Sequence, residues 1–260
     1  MEIIVCVKRI PDTAEVVDVV EIDASGKDIK KDALIYKINN WDEYVLEEAI
    51  ELKEKYGGKV TAVTVGPESC NQVLWTAYAM GVDEAVRIDE NVDAADSYVV
   101  AKLLTALIGR QSYDAVLFGM QSEDLGRGSL GVMCAEMLGI PHAAGVFSIE
   151  TQDGVIKVGR ELEAGILEIY NLKLPALLTI QTGINNPRYV PLIKIKRAQS
   201  KELKVVTPED LGLPRDTLSP MVKLEKFEYP PVGKMAEIIS GSAEEAAAKL
   251  TTILKGQALL

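Results

Sequence analysis

Apolar positions in the first half of the chain follow two alternating patterns. Ile3 to Val7 is a short apolar run of mostly β-branched residues, the mark of a strand covered on both faces. Between Trp41 and Lys55, Val45, Leu46, Ala49, Ile50 and Leu52 return every three or four positions, which predicts an amphipathic helix. Asn40 stands where a cap is expected, and Gly57-Gly58 ends the helix. The cycle then repeats. Val60 to Val65 predicts a strand, and Gly66-Pro67-Glu68 leads into a helix running to about Met80. Ala85 to Ile88 is the next strand, followed by a helix capped by Asp93 or Asp96 and continuing through Ile108. Ala115 to Phe118 is a fourth strand, and a helix over Gly128 to Leu138 is stopped by Gly139-Ile140-Pro141. Strand and helix in alternation make right-handed βαβ units, so the expected fold class is α/β with a doubly wound, mostly parallel sheet.

Beyond residue 140 the period shortens. Gly145 to Glu150, Val155 to Arg160, Ile166 to Leu172 and Ala176 to Ile180 predict strands, with turns at Gln152-Asp153-Gly154 and Glu163-Ala164-Gly165, so a β-hairpin extends the sheet. From Gly183 to about Ser240 prolines recur and periodicity is weak, which predicts an extended arm lying against something. Ser242-Ala243-Glu244-Glu245 then starts a last helix through Leu254. The expected organisation is an α/β domain over 1–182, a loop over 183–200, and an arm with its helix over 201–260.

Composition narrows the chemistry. Of 260 residues, 48% are hydrophobic and 26% charged, enough to build a sizeable core. The net charge of −11 repels phosphate backbones and anionic lipid, so nucleic acid is not an expected partner. No run approaches the length of a membrane span, so direct membrane insertion is not expected either. Cys6, Cys70 and Cys134 lie far apart without metal-ligand spacing; they are expected as small core residues in a reducing, cytoplasmic protein. A single histidine, His142, cannot build a Ser-His-Asp or Cys-His site and is expected as a packing or loop residue. Glu161, Glu163 and Glu168 fall in the hairpin, where such residues face solvent.

The strongest local signal runs from Phe118 to Gly131, between a strand and a helix at the carboxyl edge of the predicted sheet, where open α/β folds bind ligands. Gly126 and Gly128 let the backbone approach an anion, Arg127 adds charge, Ser129 adds a hydroxyl, and the next helix offers free N–H groups. The spacing is neither that of the Lys-containing phosphate loop nor that of the dinucleotide fingerprint. The ends of the first two strands, Val7-Lys8-Arg9 and Thr64-Val65-Gly66-Pro67, meet the same edge. Asn39-Asn40 offers hydrogen bonds to a base or ribose, with helix capping as the default role.

Several segments together resemble the beta subunit of electron-transfer flavoprotein over nearly the whole chain. They are Val5 to Thr13, Ile38 to Ala49, Thr76 to Asp83, and above all Val158-Gly159-Arg160-Glu161-Leu162-Glu163-Ala164-Gly165 followed by Leu174-Pro175-Ala176 and Asn186-Pro187-Arg188-Tyr189. The resemblance implies an electron carrier subunit with no catalytic acid or base. It pairs with an alpha subunit, shares that subunit's FAD, and serves acyl-CoA dehydrogenase-type flavoenzymes. It implies a nucleotide site of adenine-nucleotide-binding type at Cys6, Val7, Lys8, Thr13, Asn39, Thr64, Gly66, Gly119, Gln121, Asp124, Gly126, Arg127, Gly128, Ser129 and Leu130. AMP is the expected occupant, or a second FAD in a bifurcating type that uses NADH. The stretch Asp124 to Leu130 departs from the family's acidic and Gln/Thr pattern. The partner-recognition loop maps to Tyr189 to Ile195, with Tyr189, Pro191, Leu192 and Ile193 as contacts, and Pro11-Asp12-Thr13 approaches the partner's flavin. The alternative is a stand-alone universal-stress-type nucleotide-binding regulator, which needs neither the 158–175 segment nor a docking loop.

Overall fold

The computed structural model describes residues 1–13, 20–31, 34–231, 233 and 236–259. The chain forms two compact units, Met1–Glu225 and Lys226–Leu260.

The first unit holds strands β1 (Glu2–Cys6), β2 (Arg9–Pro11) and β3 (Tyr36–Ile38), helix α1 (Asn40–Tyr56), β4 (Lys59–Val65), α2 (Asn71–Met80), β5 (Glu84–Ile88), α3 (Ser97–Ile108), β6 (Ala115–Gly119) and α4 (Leu130–Leu138). It continues with β7 (His142–Gln152), β8 (Val155–Glu161), β9 (Leu167–Lys173), β10 (Ala176–Ile180), α5 (Leu192–Ala198) and β11 (Lys204–Val206). Nine strands make one sheet in the order β11-β5-β4-β1-β6-β10-β7-β8-β9, and β2 pairs with β3 alone. Pairing is parallel from β11 to β7 and antiparallel along β7-β8-β9. The fold is therefore the doubly wound, mostly parallel α/β architecture expected. It is extended by an antiparallel meander.

Alternation along β1 explains the two layers. Ile3, Val5 and Val7 join a buried cluster with residues of α1 and α2, whereas Ile4 and Cys6 join a second cluster with α3 and α4. Each fully buried aliphatic side chain contributes about 1.5–3 kcal/mol. That is why this uninterrupted apolar strand sits at the centre. β10 returns from the meander to lie between β6 and β7, parallel to both.

Several local expectations are corrected. Helix α1 begins at Asn40 with Asn39 in the cap position, and the Asn39 side chain makes no cap bond. Asp96, not Asp93, caps α3: one carboxylate oxygen accepts from Val99 N at 3.0 Å. Helix α4 starts at Leu130, two residues later than expected. His142 opens β7 as an exposed residue in register with Leu177. The stretch expected as an irregular arm contains helix α5, and strand β11, which pairs with β5 at the edge of the main sheet. Leu211 is buried in the α3/α4 layer. Period alone missed these because each element spans two turns of helix or three residues.

In the second unit, helix α6 (Ala243–Gly256) carries the expected capping box: Ser242 accepts from Glu245 N, and the Glu245 carboxylate accepts from Ser242 N at 2.9 Å. No α6 residue is buried, and Leu250 and Ile253 are exposed. No helix among the described residues is long and apolar enough to cross a membrane.

Candidate functional site

The strand order reverses at β1. The chain winds outward from β1 through β4 to β5 on one side, then crosses to β6 on the other. Cys6 is in register with Val63 and Val5 with Leu117, so the carboxyl ends of β4, β1 and β6 lie side by side. At this topological switch, the place where open α/β sheets bind ligands, three loops diverge.

One wall is a hydrogen-bonded bracket. Buried Asp42 accepts from the backbone N–H of Lys8 at 2.7 Å and from Asn39 Nδ2 at 3.0 Å, and the Gly119 N–H also donates to it. Asn39 Nδ2 donates further to the Gln121 carbonyl at 3.0 Å, while Asn39 Oδ1 accepts from Glu123 N at 3.0 Å. Asn39 thus ties α1 to the loop after β6 instead of capping its helix. The Lys8 ammonium pairs with Asp124 at 2.6 Å and closes the bracket from outside. Gly119 is required here, since a Cβ would lie 2.8 Å from Trp41 Cβ and collide with the Asp42 carboxylate. Burial, opposed by these donors, pushes the Asp42 carboxyl up to about 7.

Beyond the bracket the same loop folds back on itself. Ser122 N donates to the Arg127 carbonyl and Gly126 N to the Ser122 carbonyl, folding residues 122–127 into a tight turn with Gly126 left-handed at φ 61°. Helix α4 follows at once. Ser129, in its cap position, makes no side-chain bond to the helix, so its hydroxyl is not committed to capping there. Gly131 lets α4 press onto β10, where a Cβ would come within 2.6 Å of Thr179 Cγ2. Arg127 donates to the Ala95 carbonyl at 3.4 Å, and buried Ser122 Oγ lacks a hydrogen-bond partner. A helix N-terminus, a positive-φ glycine, an arginine and an uncommitted hydroxyl suit a phosphate.

The third side is the exit of β4. Thr64 is buried, and Gly66 at φ 152° packs its backbone against Cys70 Sγ, which a Cβ would strike. Arg87, buried on β5, donates to the Gly66 carbonyl at 2.8 Å and pairs with Asp89. Val7 is buried, with its N–H held by Val63 at 2.9 Å. All three cysteines are free and buried; burial pushes the Cys6 thiol well up and Cys134 to about 12, so Cys6 stands as an uncharged core group. Thr13 is exposed beyond the β2–β3 pair, where Asp12 N donates to Ile35. Hydrogen bonds therefore join Lys8, Asn39, Gly119, Gln121 and Asp124, and the turn brings together Gly126 and Arg127. Thr13 belongs to neither group. Asp42, Glu123 and Arg87 were missed by sequence reasoning. Only Asp42, three residues after Asn39, carried a readable signal.

The chain matches the electron transfer flavoprotein domain over residues 29–211. It is 37% identical to the electron transfer flavoprotein subunit beta of Methylophilus methylotrophus, covering 98% of both chains. It is 37% identical to that of Bacillus subtilis over 99% of both, and 32% identical to that of Homo sapiens over 97% of this chain and 98% of that one. The chain belongs to the electron transfer flavoprotein family, on the beta-subunit side.

The segment that resembles this family's recognition loop is clamped to α1. Arg188 Nε and Nη2 donate to buried Glu47 at 2.8–3.0 Å, its backbone N donates to the same carboxylate at 3.0 Å, and Nη1 reaches Glu54 at 3.0 Å. Asn185 adds bonds to the Tyr44 carbonyl and to Glu48. Beyond this clamp the expected loop becomes helix α5, capped by Pro191, with Leu192 74% and Ile193 58% exposed and Tyr189 86% exposed just before it. Two of the three are aliphatic. Such exposure at the start of a helix suits a docking surface.

Proposed function

We propose that this chain is the beta half of a two-subunit flavoprotein that carries electrons between acyl-CoA dehydrogenase-type flavoenzymes and a downstream redox partner in the cytoplasm. The alpha subunit holds most of the FAD, and this chain holds AMP at the β4-β1-β6 edge. FAD supplies the electron-transfer chemistry when bound. The chain's own groups bind, orient and exclude water. Arg127, Ser129 and the first backbone N–H groups of α4 hold the phosphate, while Val7, Asn39, Thr64 and Gly66 line the nucleoside side. Pro11, Asp12 and Thr13 approach the flavin, next to residues 14–19, which lie outside those described. Leu192 and Ile193 engage the flavoenzyme. No acid or base is needed, because no heavy-atom bond is made or broken.

The observation that supports the nucleotide assignment is the 122–127 turn leading into α4, hydrogen-bonded through Glu123 and Gln121 to the Asn39–Asp42 bracket at the carboxyl ends of β1 and β6. Coexpression with the alpha subunit, followed by counting bound cofactors, tests it. One FAD and one AMP per pair are expected. Two flavins would replace AMP by the second-FAD, NADH-using type. A colourless protein that never recruits an alpha subunit would leave the universal-stress-type regulator instead.

A further inference from the structure

Three loops meet at the carboxyl ends of β4, β1 and β6, and the loop after β6 is held to the start of α1 through Asn39. Asp42 lies at their root. Its carboxylate, 4% exposed, gathers N–H donors from three segments: Lys8 at the end of β1, Asn39 at the start of α1, and Gly119 at the end of β6. An Asn39 amide oriented by Asp42 is left with its oxygen toward Glu123 N and its second N–H toward the Gln121 carbonyl, and those are the two bonds it makes. The reverse orientation would place like groups against each other at all three contacts. Gly119 allows the close approach that this geometry requires.

We propose that Asp42 is the positioning residue of the nucleotide loop: through Asn39 it fixes residues 119–123 against the end of β1, and so presents the anion cradle at residues 122–129. It touches no ligand in this role. The inference rests on the nucleotide site proposed above only for its consequence on binding; the positioning itself is a statement about this chain. A neutral aspartate substitute of the same shape offers one acceptor where the carboxylate offers two. Either the Lys8 or the Gly119 N–H then loses its partner, and the orientation of Asn39 is no longer dictated.

The charged and titratable groups that interact with Asp42 are Cys6 and Lys8 from the β1 segment; Lys8 also pairs with Asp124, and Lys37 on β3 bridges Asp12 and Glu123. Burial holds the Asp42 carboxyl near neutrality while the loop is assembled.

The experiment compares wild type with Asp42→Asn in the alpha–beta complex, by site-resolved amide exchange and by titration with AMP. Exchange at Glu123, which does not itself bond to Asp42, is expected to rise about tenfold in the variant, with AMP affinity falling by a similar factor. Unchanged Glu123 exchange in the variant overturns the proposal. Should Asp42→Asn fail to fold, wild-type exchange decides: the Lys8 and Glu123 amides, both fixed through Asp42, are expected to share one opening free energy, and separate ones overturn it. Should wild type bind no adenine nucleotide, the nucleotide assignment falls, and the exchange data still decide the positioning role.

Discussion

Gly119 shows how much of this site is set by one missing atom. Its backbone sits against Trp41 and the Asp42 carboxylate, so Gly119→Ala forces the end of β6 away from α1. Overpacking of this kind costs about 1–3 kcal/mol. A lower denaturation midpoint together with weaker AMP retention is expected, measured by urea titration and dialysis; an unchanged midpoint would mean that the strand end yields freely. Asp42 also carries a pH signature in global stability. Its folded pKa stands near 7 against an ordinary 3.8, so its contribution to stability is fully present below about 3.8 and is lost as pH rises through about 7. Wild type should therefore gain stability relative to Asp42→Asn on going from pH 8 to pH 5, in paired urea titrations. A buried carboxylate kept at a cost to the fold is what a geometric role requires.

Elements were legible where they were long. The βαβ cycle could be read because β1, β4 and β6 are apolar runs rich in β-branched residues and α1 and α3 keep a helical stripe over 17 and 12 residues. Helix α5 escaped because it has 7 residues and buries one of them, Ala198. β11 escaped because its three residues gain a strand's identity only from β5 beside them. The glycine loop was legible as a strand-to-helix connection from its place after β6. The Asn39 bracket was not, since a capping bond and a bond across to another loop use the same side chain. The same limit hid Glu47 and Glu48, which are buried anchors for residues 185–188. This clamp and the helix it precedes should separate experimentally. Leu192→Ala is expected to slow electron exchange with the flavoenzyme about tenfold while leaving cofactor content unchanged. Glu47→Gln should do the same and in addition loosen the segment, seen as faster tryptic cleavage at Arg188. Cleavage that stays at the wild-type rate would mean that Glu54 and Asn185 suffice.

At the scale of the whole molecule, the meander is the part whose sequence makes least sense for a chain working alone. β9 is the outermost strand of the nine, and its residues alternate: Tyr170 and Leu172 pack against the core, while Leu167 and Ile169 point outward, 64% and 52% exposed, beside exposed Leu162 and Ile166. An edge strand is normally protected by charge, and here Asn171 and Lys173 protect one end of the outward face while Leu167 and Ile169 leave the other apolar. Four clustered apolar side chains on a chain of net charge −11 are costly to leave in water. The proposed alpha subunit is the occupant that accounts for them, since the nucleotide edge and the α5 helix are already assigned to other contacts. Leu167→Lys places an ammonium in the middle of that patch without touching a buried residue. The variant should fold with an unchanged denaturation midpoint and retain AMP, while its affinity for the alpha subunit falls at least about tenfold. Gel filtration of the coexpressed pair reads this directly: coelution of Leu167→Lys with alpha in the wild-type ratio at nanomolar loading would show that the meander face is covered by something else.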